Sequence, residues 1–184
     1  MHKDDRMTPM ERLGGFLSGQ EMDRILAMPL IRSMSGKCAG MTHKEKRATA
    51  ESEAHCQIEG YKRFGNDLLI SEYGLHTVGK SLGSVMSDPD DAVPAILSHV
   101  LKDLADIDQL DFEKVRLKNS VDFQKHLDCA RILIDKLGKE APTGTLISGP
   151  LTATASIYPI EKLLKATRRN PDGVHRLMRL CTSS

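Results

Sequence analysis

Apolar residues recur with helical spacing in some stretches of the chain and form short continuous runs in others. Helical spacing is clearest where apolar residues follow one another at alternating intervals of four and three, at Phe123, Leu127, Ala130, Ile134 and Leu137. Short apolar runs bounded by turn-forming residues predict buried strands at 24–31, 67–71 and 144–148. Helices that alternate with such strands favour a parallel α/β fold.

Signals for the ends of helices divide the chain further. Two capping boxes, each a threonine followed three residues later by a glutamate, predict helices that begin at Thr8 and Thr42. Gly19 ends the first helix, and Gly65 ends the second, which is therefore long. The stretch between the first predicted strand and the second helix, 32–41, is rich in small residues and is expected to be an exposed loop.

The strand at 144–148 runs directly into the sequence Gly-Pro-Leu-Thr at 149–152, and a helical pattern follows. In parallel α/β folds, the loop after a strand carries the groups that bind and react. The region 84–118 contains two prolines and many aspartates, and it is expected to be an irregular insertion.

Composition excludes several classes of protein. The net charge is +1, which gives no electrostatic basis for binding nucleic acid or an anionic membrane. The sequence contains neither an apolar run of about 20 residues nor the apolar core of a signal peptide near its N-terminus. The four cysteines have no framework spacing, which indicates reduced thiols. We expect a cytoplasmic protein that binds neither nucleic acid nor membrane.

Four segments, in order, carry the pattern of a known family: 7–13 followed by Asp23-Arg24, then 61–67, then 82–94, then 148–152 followed by Glu161 and 170–175. Together they resemble the N-terminal half of the uroporphyrinogen decarboxylase superfamily, particularly its corrinoid-dependent methyltransferase branch. The resemblance covers nearly the whole chain. It implies a partial (β/α)8 TIM barrel, with an N-terminal helix and about the first three β/α units. Residues 1–184 would then be the N-terminal half of a barrel domain with an irregular insertion at about 84–118.

The resemblance also implies a reaction. In the methyltransferase branch, a zinc ion activates a thiol, which attacks the methyl group of a methylated corrinoid. The family's zinc ligands lie in the C-terminal half, and this sequence has no His-x-Cys motif. We therefore expect no catalytic residue and no metal ligand here, so the chain would be a fragment or subunit that is inactive alone.

Cofactors and partners follow from the same resemblance. Zinc would be present only with a C-terminal half, and the corrinoid, methylcobalamin, would be carried by a partner corrinoid protein. A part-barrel exposes an unpaired strand, so a second polypeptide that completes the barrel, or a homo-oligomer, is expected.

Two alternatives remain open. One is uroporphyrinogen decarboxylase itself, a cofactor-free enzyme that uses arginines, an aspartate and a tyrosine on its tetrapyrrole substrate. In this sequence those positions fall on Pro29, Ser33, Gly74 and Ser156, which depart from the decarboxylase pattern. The other is a non-catalytic remnant or binding protein.

Candidate substrate-binding residues are those that a barrel would place at the carboxyl ends of its strands: Met28, Arg32, Glu72, Tyr73, His76, Ser148, Gly149 and Thr152. His126 and Cys129 are three residues apart and share a helix face. We interpret them as a surface histidine beside a half-buried cysteine rather than as metal ligands. Cys181 is interpreted as a core residue, and Cys38 as a loop residue.

Overall fold

The computed structural model describes residues 4–72 and 74–182. Within this range the chain divides into two compact units. The first unit contains residues 4–72, 89–93 and 125–146, and the second contains 74–88, 94–124 and 147–182.

Helices and short strands alternate along the chain. The helices are α1 Pro9–Ser18, α2 Arg32–Cys38, α3 His43–Ala48, α4 Ala50–Phe64, α5 Thr77–Leu82, α6 Val121–Leu137, α7 Pro150–Ile157, α8 Ile160–Arg169 and α9 Pro171–Thr182. The strands are β1 Leu69–Glu72, β2 Val85–Met86, β3 Ile96–Ser98 and β4 Thr143–Leu146, and two 3-10 helices lie at Leu104–Gln109 and Phe112–Val115. The prediction of a mixed α/β protein is confirmed.

The first unit is built on a parallel pair of strands. Strand β1 pairs with β4, with Leu69 opposite Thr143 and Glu72 opposite Leu146. Leu69 points to the helices and is fully buried. Its core neighbours come from α4, from α6 and from the loop before β4: Ala50, Ala54, Ile58, Tyr61, Cys129, Leu133 and Ala141. This parallel pairing agrees with the prediction drawn from the alternation of helices and strands.

The second unit contains α5, α7, α8 and α9 with the antiparallel pair β2–β3 and the two 3-10 helices. Its core is formed by apolar residues of all these helices, including Val78, Leu104, Val115, Ile157, Leu163 and Leu177. Cys181 lies in the same core, as expected. The region 84–118 contains the two short strands and the 3-10 helices rather than longer elements.

Both capping boxes are confirmed. The Thr8 side chain accepts from the Glu11 N–H at the start of α1, and Gly19 ends that helix at φ 66°. The prediction of one long second helix is wrong, because the helix is interrupted at Thr49. Thr49 is extended (φ −131°, ψ 167°) and caps a new helix, so α3 and α4 replace one long helix.

The predictions for 24–31 and 32–41 are wrong. Residues 24–31 form no regular strand, and Ile25 (81%) and Leu30 (59%) are exposed. The Asp67 N–H donates to the Ala27 carbonyl (2.7 Å), but Pro29 has no N–H with which to continue a ladder. The predicted loop contains α2, which forms because its small residues pack closely on α4.

Among the described residues, no helix combines the length and the apolar character needed to cross a bilayer.

Candidate functional site

The carboxyl edge of the parallel pair lies at Glu72 and Leu146 in the first unit. Neighbouring parallel strands bring their carboxyl ends to the same edge, and this edge is where α/β proteins place their binding groups. The candidate site is therefore centred on Glu72.

Glu72 is held at the end of β1 by two charged side chains. Its Oε2 accepts from Lys46 Nζ at 2.9 Å, and its backbone N–H donates to Glu53 Oε1 at 2.8 Å. Lys46 and Glu53 are only 3% and 5% exposed. Burial raises the pKa of Glu53, partly offset by the bond from the Glu72 N–H. The Glu72 carboxylate is therefore fixed in position rather than free to rotate in solvent.

Arg32 is connected to the same group. Lys46 Nζ also donates to the Arg32 carbonyl at 3.1 Å, so one ammonium joins two of the predicted binding residues. Arg32 has a φ of 32°, which is strained for a residue with a side chain. Arg32 is half-buried as a residue, and within the described residues its guanidinium has no ion-pair partner. An unpaired guanidinium of this kind suits a carboxylate or a phosphate.

A shallow pocket adjoins Glu72. It is lined by Pro29, Leu30, Ile31, Gln57, Asn66, Leu68, Ile70 and Glu72. Gln57 Nε2 and Asn66 Oδ1 are buried there without a hydrogen-bond partner. Met28 precedes the lining segment and is 49% exposed. The lining therefore combines apolar side chains with the buried amide groups of Gln57 and Asn66 and the side chain of Glu72.

The remaining predicted residues lie in the second unit. Ser148 Oγ donates to the Leu75 carbonyl at 3.3 Å, which brings Ser148 beside the loop that carries His76. His76 Nδ1 is buried without a partner, and burial, together with the nearby His99, lowers its pKa. Gly149 is the N-cap of α7 and offers no side-chain cap, and Thr152 is half-buried in the first turn. Tyr73 lies outside the described residues.

Ser156, where the resemblance puts the decarboxylase tyrosine, is a structural residue. It is fully buried, and its Oγ accepts from the Gly79 N–H at 2.8 Å. Its carbonyl accepts from Ser84 Oγ at 2.8 Å. A tyrosine ring has no room in this contact between α5 and α7.

The interpretation of His126 as a surface residue is wrong. His126 and Cys129 are 3% and 0% exposed because β1 covers this face of α6. Ser71 Oγ lies 2.8 Å from His126 Nδ1 and 2.8 Å from the His126 carbonyl. Burial lowers the pKa of His126 to about 4 and raises that of Cys129 to about 12. Both side chains are therefore uncharged groups in the core.

Within residues 4–72 and 74–182, no group of three or more His, Cys, Asp and Glu side chains is arranged to hold a metal ion.

Sequence reasoning missed an ionic cluster at the amino end of β1. Arg12 is 0% exposed and contacts Asp67, Asp23 (2.7 Å) and Asp5 (3.6 Å). Arg24 binds Asp67 (2.5 Å) as well. The hydrogen bond from Arg12 and the N–H groups of residues 6 and 7 hold the pKa of Asp23 well below its ordinary range. This cluster fixes α1 to the strand and lies away from the carboxyl edge.

Comparison with known proteins gives the family. The family model for uroporphyrinogen decarboxylase (URO-D) matches residues 8–184, which is nearly the entire chain. The chain therefore belongs to the uroporphyrinogen decarboxylase (URO-D) family. No curated protein sequence matches it.

Among solved structures, the chain is similar to a methyltransferase from Methanosarcina mazei, with a TM-score of 0.74 at 17% sequence identity. The similarity covers 97% of this chain but only 53% of that protein. The chain thus spans about half the length of this relative and shares its fold over that half.

Proposed function

We propose that this chain is the N-terminal half of a (β/α)8 barrel in the corrinoid-dependent methyltransferase branch of the family. One observation carries the proposal: nearly all of this chain matches about half of a methyltransferase. A match of this kind supports a part of a barrel over a complete small domain. The chain is then a fragment or subunit of a methylcorrinoid:thiol methyltransferase and is inactive alone.

The first unit supports the need for a partner. The segment 24–31 runs beside β1 without forming a strand, and its apolar side chains Ile25, Met28 and Leu30 are exposed. Apolar extended segments of this type are stabilised by pairing with another strand. A second polypeptide that completes the barrel, or a second copy of the chain, supplies that strand.

The described residues do not fit a zinc site of the family type. In this proposal zinc and its ligands belong to the C-terminal half, as the family resemblance implies, and the corrinoid (methylcobalamin) belongs to a partner protein. When bound, the zinc ion lowers the pKa of a thiol. The role of this chain is to bind and orient the thiol substrate, and the reaction takes place in the cytoplasm.

Arg32 is the residue of this chain best placed to bind substrate. Its unpaired guanidinium fits an anionic group on the thiol compound, and Lys46 fixes both the Arg32 carbonyl and Glu72. Met28 of the first unit is proposed as a further substrate-binding residue. In the second unit, the proposed substrate-binding residues are His76, Ser148, Gly149 and Thr152. Tyr73 is also proposed as a substrate-binding residue.

The test begins with the nucleotide sequence that follows the Ser184 codon. A reading frame with a His-x-Cys motif and a later cysteine identifies the second polypeptide, which is co-expressed with this chain. Methyl transfer from methylcobalamin to a thiol is then measured. Absence of such a frame, together with a chain that forms no complex, favours the non-catalytic remnant.

In the active pair, Arg32→Gln is expected to raise the KM for an anionic thiol by about tenfold or more, because a charge-assisted hydrogen bond is lost. The kcat should change little. Lys37→Gln removes an exposed charge from the same helix and should leave KM unchanged. A KM that is indifferent to Arg32→Gln argues against this role for Arg32.

Uroporphyrinogen decarboxylation is not favoured by the structure. The position of the substrate tyrosine is occupied by Ser156, which is enclosed between α5 and α7.

A further inference from the structure

Two buried side-chain amides in the lining of the pocket beside Glu72 have polar atoms without a partner. Gln57 of α4 and Asn66, the second residue after α4, are each only 2% exposed. Both line the pocket together with Glu72. Within the described residues, neither Gln57 Nε2 nor Asn66 Oδ1 takes part in a hydrogen bond. The function proposed above gives no role to either side chain.

Buried amides of this kind need an explanation. Glutamine and asparagine are mostly exposed in proteins, and a buried donor or acceptor without a partner lowers stability. Asn66 Nδ2 donates to the Leu68 carbonyl at 2.5 Å, and a rotation of the amide by 180° would lose this bond. The fold therefore holds Asn66 Oδ1 as a buried acceptor that receives no hydrogen.

The two unsatisfied atoms complement each other, but they do not bind each other. Gln57 Nε2 is a donor and Asn66 Oδ1 is an acceptor, and no hydrogen bond joins them. A ligand group that contains an acceptor and a donor on neighbouring atoms would satisfy both. Because the Glu72 side chain lies in the same lining, an uncharged group is favoured over a carboxylate. A carboxamide has these properties.

The part of the lining that can move to admit a ligand is the segment 28–30. It belongs to no helix or strand, and the Leu30 side chain is 59% exposed. Ala27 attaches one end of the segment through two hydrogen bonds with Asp67, each 2.7 Å long. Ile31 attaches the other end by packing against α4. Displacement of the three residues between these attachments leaves α4 and β1 intact.

We propose that Gln57 and Asn66 form a subsite for an uncharged amide group of the thiol substrate. Gln57 Nε2 donates to the amide carbonyl, and Asn66 Oδ1 accepts from the amide N–H. The identity of the ligand as a thiol rests on the proposed function, whereas its amide is inferred from the two side chains. A site built around such hydrogen bonds discriminates strongly against analogues that lack one of them.

The test uses the full 184-residue chain, labelled with ¹⁵N and kept reduced with a phosphine. The probe is 3-mercaptopropanamide, and NMR spectra follow the side-chain amide signal of Gln57, which is identified by its absence from the Gln57→Met spectrum. A saturable shift of this signal is expected. Methyl 3-mercaptopropanoate keeps the carbonyl but has no N–H, and it should bind about tenfold more weakly or worse.

Gln57→Met keeps the length of the side chain and removes the donor. It should weaken binding of the amide by about tenfold or more and raise the midpoint of thermal unfolding, because an unsatisfied buried group is removed. A residue with a purely structural role would not show this combination. Gln20→Met is the matched control at an exposed position of the first unit, and it should leave amide binding unchanged.

Absence of a saturable shift, equal affinity for the amide and the ester, or binding that Gln57→Met leaves unchanged overturns the proposal. The experiment involves no methyl transfer, so it can fail without affecting the function proposed above. An inactive pair of polypeptides whose first member still binds the amide contradicts the methyltransferase function but not the subsite.

Discussion

Arg12 shows how a single buried charge holds the first unit together. The guanidinium has no exposed surface, and it joins α1 to Asp67, two residues before β1. A buried cation is tolerated only when carboxylates surround it, and here Asp23 and Asp5 supply the remaining contacts.

Arg12→Ala is expected to lower the free energy of unfolding by about 3–5 kcal/mol, because it leaves buried carboxylates without their partner. Urea denaturation measures the change. Lys44→Ala is the control, since it removes an exposed ion pair with Asp90 and should cost less than about 1 kcal/mol. Equal effects from the two substitutions contradict the role given to Arg12.

His126 makes the stability of the protein dependent on pH. Its pKa is about 4 in the folded protein, compared with 6.5 when unfolded, because burial disfavours the imidazolium. The unfolded chain therefore binds more protons between these values. Stability is full above pH 6.5 and falls as the pH is lowered toward 4, by about 3 kcal/mol at most.

The variant His126→Asn should remove most of the loss of stability at low pH. The free energy of unfolding, measured from pH 7 to pH 4, tests this prediction. His175→Asn, at an exposed position of α9, should retain the full pH dependence. A His126→Asn variant that loses stability as steeply as the parent chain shows that His126 is not the group responsible.

At the scale of elements, the close contact of α5 with α7 depends on a glycine. A Cβ at Gly79 would collide with the carbonyl of Ser156, and the Gly79 N–H donates to Ser156 Oγ. Gly79→Ala should therefore destabilise the second unit by about 1–3 kcal/mol through overpacking.

Gly14→Ala provides the matched comparison. A Cβ at Gly14 meets nothing within 4 Å, and the residue lies inside α1. Higher helix propensity should stabilise the protein by about 1 kcal/mol, so thermal unfolding should move in opposite directions for the two variants. A stabilising Gly79→Ala would show that α5 and α7 are not in this contact.

Elements with local end signals were predictable from sequence. Thr8, Gly19 and Gly65 act on their own neighbours, so their roles can be read without the fold. The segments 24–31 and 32–41 were not predictable, because tertiary contacts decide them. Pro29 interrupts the ladder in one segment, and packing on Gly60 creates a helix in the other.

The candidate site was predictable only in part. The rule that binding groups follow strands placed Glu72 among the candidate residues, but it did not predict the side chains that hold Glu72. Lys46 and Glu53 lie on helices, where charged residues are normally solvated, and only the fold buries them. The unpartnered amide of Gln57 has no sequence signal either. The cluster around Arg12 joins residues 55 positions apart, which no local pattern reveals.

At the scale of the whole molecule, the family membership and the partial match to a solved structure both support the proposal that this chain is half of a barrel. The chain belongs to the URO-D family over residues 8–184, and it spans 53% of a methyltransferase of the same fold. The exposed apolar segment 24–31 is where a further strand would be stabilising. In the function proposed above, this half of a barrel supplies substrate-binding groups and its complement supplies the metal chemistry.

The most direct measurement is the rate of methyl transfer from methylcobalamin to a thiol, determined for this chain alone, for the co-expressed second polypeptide alone, and for the two in a complex of verified mass. The half-barrel account predicts no transfer by either polypeptide alone and transfer by the complex. Transfer by this chain alone, or an inactive complex that contains zinc, would contradict it.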